Sequence, residues 1–225
     1  IGEFDGTGTT SGNFVETGFE PAWLMVKCYT DSGTSWVIVD NKRNPSNPRK
    51  NRLVAQSSAA EDDCCDQFEF FTTGFRANGT DTSLNGSGRS MIYLAFAADP
   101  DTTTPTLASS FNVTTYTGNG TNQNINVGFK PDLVWTKSRT FANNHHLFDS
   151  IRGATKVLES NTSAAQTDES TTLTDFTDNG FTLGASSDVN TNAQGYVAWC
   201  WKMLDNNNDN PVLIKAADTN ATIDS

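Results

Sequence analysis

Cationic side chains are scarce in this chain, with 15 Lys and Arg against 26 Asp and Glu and a formal charge of −11. Binding to phosphate backbones depends on clustered Lys and Arg that release counterions, so the balance excludes nucleic acid as a partner. No apolar run approaches the roughly 20 residues that cross a bilayer, and no basic segment leads into an apolar one at the start, which argues against membrane insertion. Histidine occurs only as His145-His146. Adjacent residues on a strand point to opposite faces and no neighbouring Cys completes a zinc set, so ordinary surface or half-buried histidines are expected. The four cysteines, Cys28, Cys64, Cys65 and Cys200, have no metal-ligand spacing and read as reduced, partly buried thiols of a protein folded inside a cell. A nucleophile with a positioned base is missing, as is a Gly-rich phosphate loop. The expectation is a protein without cofactor or catalysis.

Thr, Asn, Ser, Gly and Asp are abundant and crowd the segments between short apolar runs, the composition of turn-rich all-β proteins. A length of 225 residues accommodates one large β domain or two modules of about 100 residues. An internal repeat decides between them. Gly18-Phe19-Glu20-Pro21-Ala22-Trp23-Leu24-Met25-Val26-Lys27 returns 110 positions later as Gly128-Phe129-Lys130-Pro131-Asp132-Leu133-Val134-Trp135-Thr136-Lys137. Further anchors keep the same order: Gly6 and Gly8 with Gly118 and Gly120, Val39-Asp40 to Arg43 with Phe148-Asp149 to Arg152, Ser58-Ala59-Ala60 with Ser163-Ala164-Ala165, and Gly74-Phe75 with Gly180-Phe181. Last comes Tyr93-Leu94-Ala95-Phe96, aligned with Tyr196-Val197-Ala198-Trp199 at an offset of 103, which sets Cys200 opposite Ala97 and Cys28 opposite Ser138.

Apolar runs of four to seven residues, bounded by turn clusters, predict strands at 23–26, 36–39, 67–71 and 91–97 and their counterparts at 133–135, 146–148, 173–176 and 196–201. A helical turn is expected over 152–158, weakened by Gly153. The closing strands are apolar on both faces, which places them mid-sheet or beneath another layer. The expected fold is all-β: two tandem antiparallel β-sandwich modules of six to eight strands, residues 1–103 and 104–204, followed by a polar linker at 205–225. The start at Ile1 suggests a processed product or one piece of a longer polypeptide.

The sequences GFKPDLVWTKSR, HLFDSIRGATK, DNGFTLG and YVAWCWK resemble a module of virion proteins of marine tailed phages, and GFEPAWLMVK, WVIVDNKRNPSNPR and MIYLAFAADPDT are similar to its companion module. The resemblance spans about residues 4 to 203. It implies concanavalin- or SPRY-like jelly-roll sandwiches in a tail fibre or other appendage, assembled in the host cytoplasm with other virion proteins and trimeric as a homo-oligomer. It carries no residue-level ligand site. A carbohydrate-binding module for host surface glycan is the second reading. A polysaccharide-degrading enzyme would need two carboxylates in one cleft, and the only carboxylate kept in both copies stands beside an Arg.

Candidate residues follow from the repeat. Asp40 with Arg43, and Asp149 with Arg152, set a carboxylate three residues before a guanidinium, expected as structural pairs rather than ligand clamps. Tyr29 and Tyr116, next to turn residues, are the aromatics expected to offer a face to a ligand, and His145 would serve a ligand in the second copy alone, where the first has Trp36. Glu61, Asp62, Asp63 and Asp66 are expected in an exposed acidic loop. Asp205, Asn207 and Asp209 fit the first positions of a calcium loop, but the Gly and the closing Glu of that template are missing.

Overall fold

The structure, a computed structural model, describes residues 1–63, 67–97 and 111–203. The first module runs through β1 (Gly2–Asp5), β2 (Phe14–Glu16), β3 (Pro21–Cys28), β4 (Val37–Asp40), β5 (Leu53–Val54), β6 (Gln67–Phe71), β7 (Gly74–Asn78) and β8 (Ser90–Ala97). The second runs through β9 (Phe111–Thr117), β10 (Gln123–Asn126), β11 (Leu133–Ser138), β12 (His146–Asp149), β13 (Lys156–Glu159), β14 (Thr167–Asp168), β15 (Leu173–Thr177), β16 (Gly180–Leu183), α1 (Ser187–Asn190) and β17 (Gly195–Trp201). Each module is an antiparallel sandwich of one large and one small sheet. The large sheets have the orders β1-β8-β3-β4-β5 and β14-β13-β12-β11-β17-β9, and the small ones β2-β7-β6 and β10-β16-β15.

Alternation along β3 explains the layering. Leu24, Val26 and Cys28 point inward and join Val15, Phe68, Phe70 and Phe75 of the small sheet in the first core. Val134, Phe148, Ala198 and Cys200 do the same beneath Ile125, Phe176 and Phe181 in the second. The other faces of the large sheets are also apolar. Trp23, Ile38 and Leu53 meet Phe111, Val113, Val197, Trp199 and Trp201, so the two large sheets share a third core between the modules. Four sheets thus stack in the order small, large, large, small. The closing strands β8 and β17 lie inside their sheets and beneath this extra layer, which is why both of their faces are apolar.

Backbone geometry accounts for two of the glycine anchors. Gly18 and Gly128 have φ of 78° and 89°, a left-handed conformation that glycine adopts without strain, at the turn before β3 and β11. A Cβ on Gly74 or Gly180 would collide with the carbonyl oxygen of Val15 or Ile125, where the neighbouring strand passes close.

Two expectations are corrected. The segment from Arg152 turns through Gly153, at φ 95°, directly into β13, with Val157 buried in the second core; no helical turn forms there. The closing strands align two residues away from the sequence match. Val26 pairs with Tyr93 and its counterpart Thr136 pairs with Ala198, so Tyr93 corresponds to Ala198, Met91 to Tyr196, and Cys200 to Ala95 rather than Ala97. A slip of two leaves every side chain on the same face, so the hydrophobic pattern could not reveal it.

Candidate functional site

The Asp–Arg motif closes the turn after β4 and after β12 in the same way. Asp40 Oδ1 accepts from the backbone N–H of Arg43 at 2.9 Å and Oδ2 from its Nε at 2.6 Å, while Nη2 donates to the Ile38 carbonyl at 3.1 Å. Asp149 Oδ1 accepts from Arg152 N at 2.8 Å, and Arg152 Nη2 donates to Leu147 O at 3.3 Å. Burial works against the Asp149 charge, yet the hydrogen bonds from Arg152 outweigh it and hold the carboxyl below its ordinary range.

Surroundings separate the two pairs. Asp40 and Arg43 have 0% of their side-chain surface exposed, whereas Asp149 and Arg152 keep 26% and 24%. Trp199 of the second module donates its indole N–H to Asp40 Oδ2 at 3.1 Å, and the Arg43 guanidinium lies 5.7 Å from the centroid of the same ring. Arg43 Nη1 reaches Glu61 at 3.0 Å, and Glu61 in turn accepts from Arg139 of the second module at 3.0 and 3.2 Å. Glu61 is therefore the hub of an intermodule ion network and not part of an exposed acidic loop. At the equivalent place in the second module, Arg152 Nη1 meets Gln166 at 3.2 Å. Asp62 pairs with Arg52 at 2.7 Å. Cys64, Cys65 and Asp66 lie outside the described residues.

His145 is fully buried and spans the seam between the modules. Trp135 Nε1–H donates to its Nδ1 at 2.9 Å, which leaves the proton on Nε2, 3.1 Å from the Val54 carbonyl of the first module. Burial, with the Lys137 charge next, lowers its pKa to about 3. A neutral ring with both nitrogens engaged has nothing left for a ligand, which corrects the ligand role expected for it. Its neighbour His146 is also buried, and burial lowers its pKa too.

Lys137 crosses the same seam, donating to Ser138 O at 2.8 Å and Ser58 O at 3.3 Å. Burial and then the Arg43 charge bring its pKa down to about 8, against the pull of Glu61.

Tyr116 does not offer a face either. Its ring stacks on Tyr196 with centroids 5.2 Å apart and 8° between planes, and its hydroxyl donates to Val189 O at 2.9 Å. Tyr29 is the exposed one, at 53%, and borders an open recess of about 410 Å³ with Ile1, Gly2, Glu3 and Ile92. Its hydroxyl is already spent on Glu3 Oε2 at 3.0 Å. Among the described residues no group of three or more His, Cys, Asp or Glu could hold a metal ion, and Asp205, Asn207 and Asp209 lie outside them.

One duplicated polar element escaped the sequence. Asn85 and Asn190, both buried, each tie three backbone segments together. Asn85 donates to Gly79 O at 2.8 Å and Thr9 O at 3.0 Å and accepts from Thr7 N at 2.9 Å. Asn190 donates to Gly184 O at 2.8 Å and Thr121 O at 2.5 Å and accepts from Asn119 N at 2.9 Å. The signal was an Asn recurring at an offset of 105, lost against so many other asparagines.

Repeated polar residues thus hold turns, and at the seam the repeated Asp40, Arg43 and Lys137 are joined by Glu61, Arg139 and His145, which occur in one copy alone. Comparison with curated proteins and with solved structures gave no match. Residues 1–100 and 107–222 match a family described as a domain of unknown function (DUF7483), and with a match in each half the chain belongs to that family.

Proposed function

We propose that the chain is a non-enzymatic structural component of a tailed-phage virion, a rigid block of a tail fibre or appendage that serves assembly and host-surface attachment. The observation that carries this reading is the third core. Trp23, Trp199 and Trp201 pack edge-to-face at 6.1 and 6.3 Å, and the Asp40–Arg43–Glu61–Arg139 network closes around them. Two domains joined this way move as one body, as a load-bearing spacer requires. The resemblance of GFKPDLVWTKSR, HLFDSIRGATK and YVAWCWK to virion modules supports the same reading. Its partners are other virion proteins and further copies of the chain, in a trimer assembled in the host cytoplasm.

The test is the position and copy number of the chain in a reconstruction of intact particles, with its presence established by mass spectrometry of purified virions. Several copies on a tail fibre or outer appendage are expected. A free cellular protein, or one packaged inside the head, would overturn the proposal.

A further inference from the structure

The two small sheets are alike inside and different outside. Inward, Val15, Phe70 and Phe75 match Ile125, Phe176 and Phe181, pair for pair across the ladder. Outward, the first module carries Phe14, Glu69, Phe71 and Arg76 where the second carries Asn124, Asp175, Thr177 and Thr182. In the second module Thr182 Oγ1 donates to Asn124 Oδ1 at 2.9 Å, an ordinary solvated pair. In the first, Phe14 and Phe71 meet over Gly74 with centroids 5.6 Å apart, and the Arg76 guanidinium sits 5.3 Å from the Phe71 centroid. Phe14 remains 41% exposed.

The polar groups beside these rings are only partly used. Glu69 Oε2 accepts from Asn78 Nδ2 at 3.0 Å and from Arg76 Nη1 at 3.4 Å, and no hydrogen bond within the described residues engages Glu69 Oε1. Arg76 Nε is shielded from solvent without a partner. A free carboxylate oxygen accepts from one hydroxyl while the N–H groups of an adjacent guanidinium donate to the neighbouring hydroxyl, the pattern of a vicinal diol. The exposed Phe14 ring and the partly exposed Phe71 ring alongside supply an apolar surface for the C–H face of a pyranose. The recess at Tyr29 lacks this combination, because the tyrosine hydroxyl and Glu3 bond each other.

We infer that the outer face of β2-β7-β6 is a binding surface for a neutral hexopyranose chain, with Phe14 and Phe71 as the stacking surface and Glu69 and Arg76 as the diol-binding pair. The inference is independent of the virion reading: a saccharide can bind this face wherever the chain is placed, and a failure to bind leaves the particle location untouched.

The test is a glycan array of gluco-, manno- and galacto-configured neutral oligosaccharides probed with the intact chain, followed by calorimetry with the best-binding hexasaccharide. The comparison variant is the triple substitution Phe14→Asn, Phe71→Thr, Arg76→Thr, which installs the residues that the second module already tolerates. At least one configuration should bind, amide shifts on titration should cluster in β2, β6 and β7, and the variant should lose tenfold or more in affinity with its Tm retained. If the triple variant unfolds, Arg76→Thr alone should show the same loss. Absence of binding in all three series, binding that survives the substitutions, or self-association that the substitutions abolish would overturn the inference, the last by assigning the face to a second copy of the chain.

Discussion

The Asp40–Arg43 and Asp149–Arg152 pairs are copies of one turn, with the same backbone and side-chain bonds, yet one is sealed and the other half-open. The difference comes from what covers each. Trp199 and Arg139 of the second module close over the first pair, while the second faces Gln166 near solvent. Identical local chemistry therefore has different energetic weight, because a charge removed from water depends on its partner far more than an exposed one does. The copies also differ in sequence at the seam. Trp36, 39% exposed, stands in the first copy where the second has the buried His145, although both backbones are held by an amide side chain, Gln56 or Asn161.

Four measurements would break or sharpen that contrast. Trp199→Ala should have the largest effect, since it empties the third core and strips Asp40 of a donor; a loss of about 3–5 kcal/mol is expected in denaturant unfolding. The parent chain should unfold in a single transition, and in the variant that transition should split as the modules uncouple. Asp40→Asn should cost about 3–5 kcal/mol and Asp149→Asn about 1 kcal/mol or less; equal losses would show that the seam does not seal the first pair. Asn85→Ala and Asn190→Ala should each cost roughly 2–3 kcal/mol, because both orphan buried backbone groups, and a clear inequality would break the equivalence of the two copies there.

The last effect is on pH. His145 is neutral when folded, with a pKa near 3, and ionises below its ordinary value of 6.5 when unfolded, so the unfolded chain takes up the proton first and stability falls on acidification. Between pH 7 and 5 the loss should reach about 2 kcal/mol in urea titrations, and His145→Gln should flatten that slope. Lys137 acts at the other end. With its folded pKa lowered to about 8, its buried charge is a burden below that value, relieved as pH rises towards the ordinary 10.5.

Much of the fold was legible because inward-facing residues obey a period of two and recur in both copies. The strands at Trp23, Val37, Phe68 and Met91 and their counterparts needed only that pattern and the turns between them. The alignment of β8 with β17 misled because Tyr-x-Ala-aromatic recurs two residues out of place, and an even slip costs nothing in facing. Among the candidates, the Asp–Arg pairs were visible as a repeat. Glu61, Arg139, Lys137 and His145 act across the seam, where partners lie 78 to 91 residues apart, and Asn85 and Asn190 bond backbone, which leaves no partner residue to recognise.

By itself the sequence determined the all-β architecture, the duplication and the apolar character of both faces of the closing strands, since each rests on local periodicity and repeated anchors. Only the tertiary structure decided what the second apolar face is for. The large sheets close on each other through Trp23, Trp199 and Trp201, and that contact buries one copy of the repeated ion pair and turns His145 and Lys137 into fasteners. The same packing leaves the outer small sheets in solvent, where Phe14, Phe71 and Arg76 stand on the first and Asn124, Thr177 and Thr182 on the second. Burial depends on the neighbour, and a strand's own residues do not specify which neighbour that is.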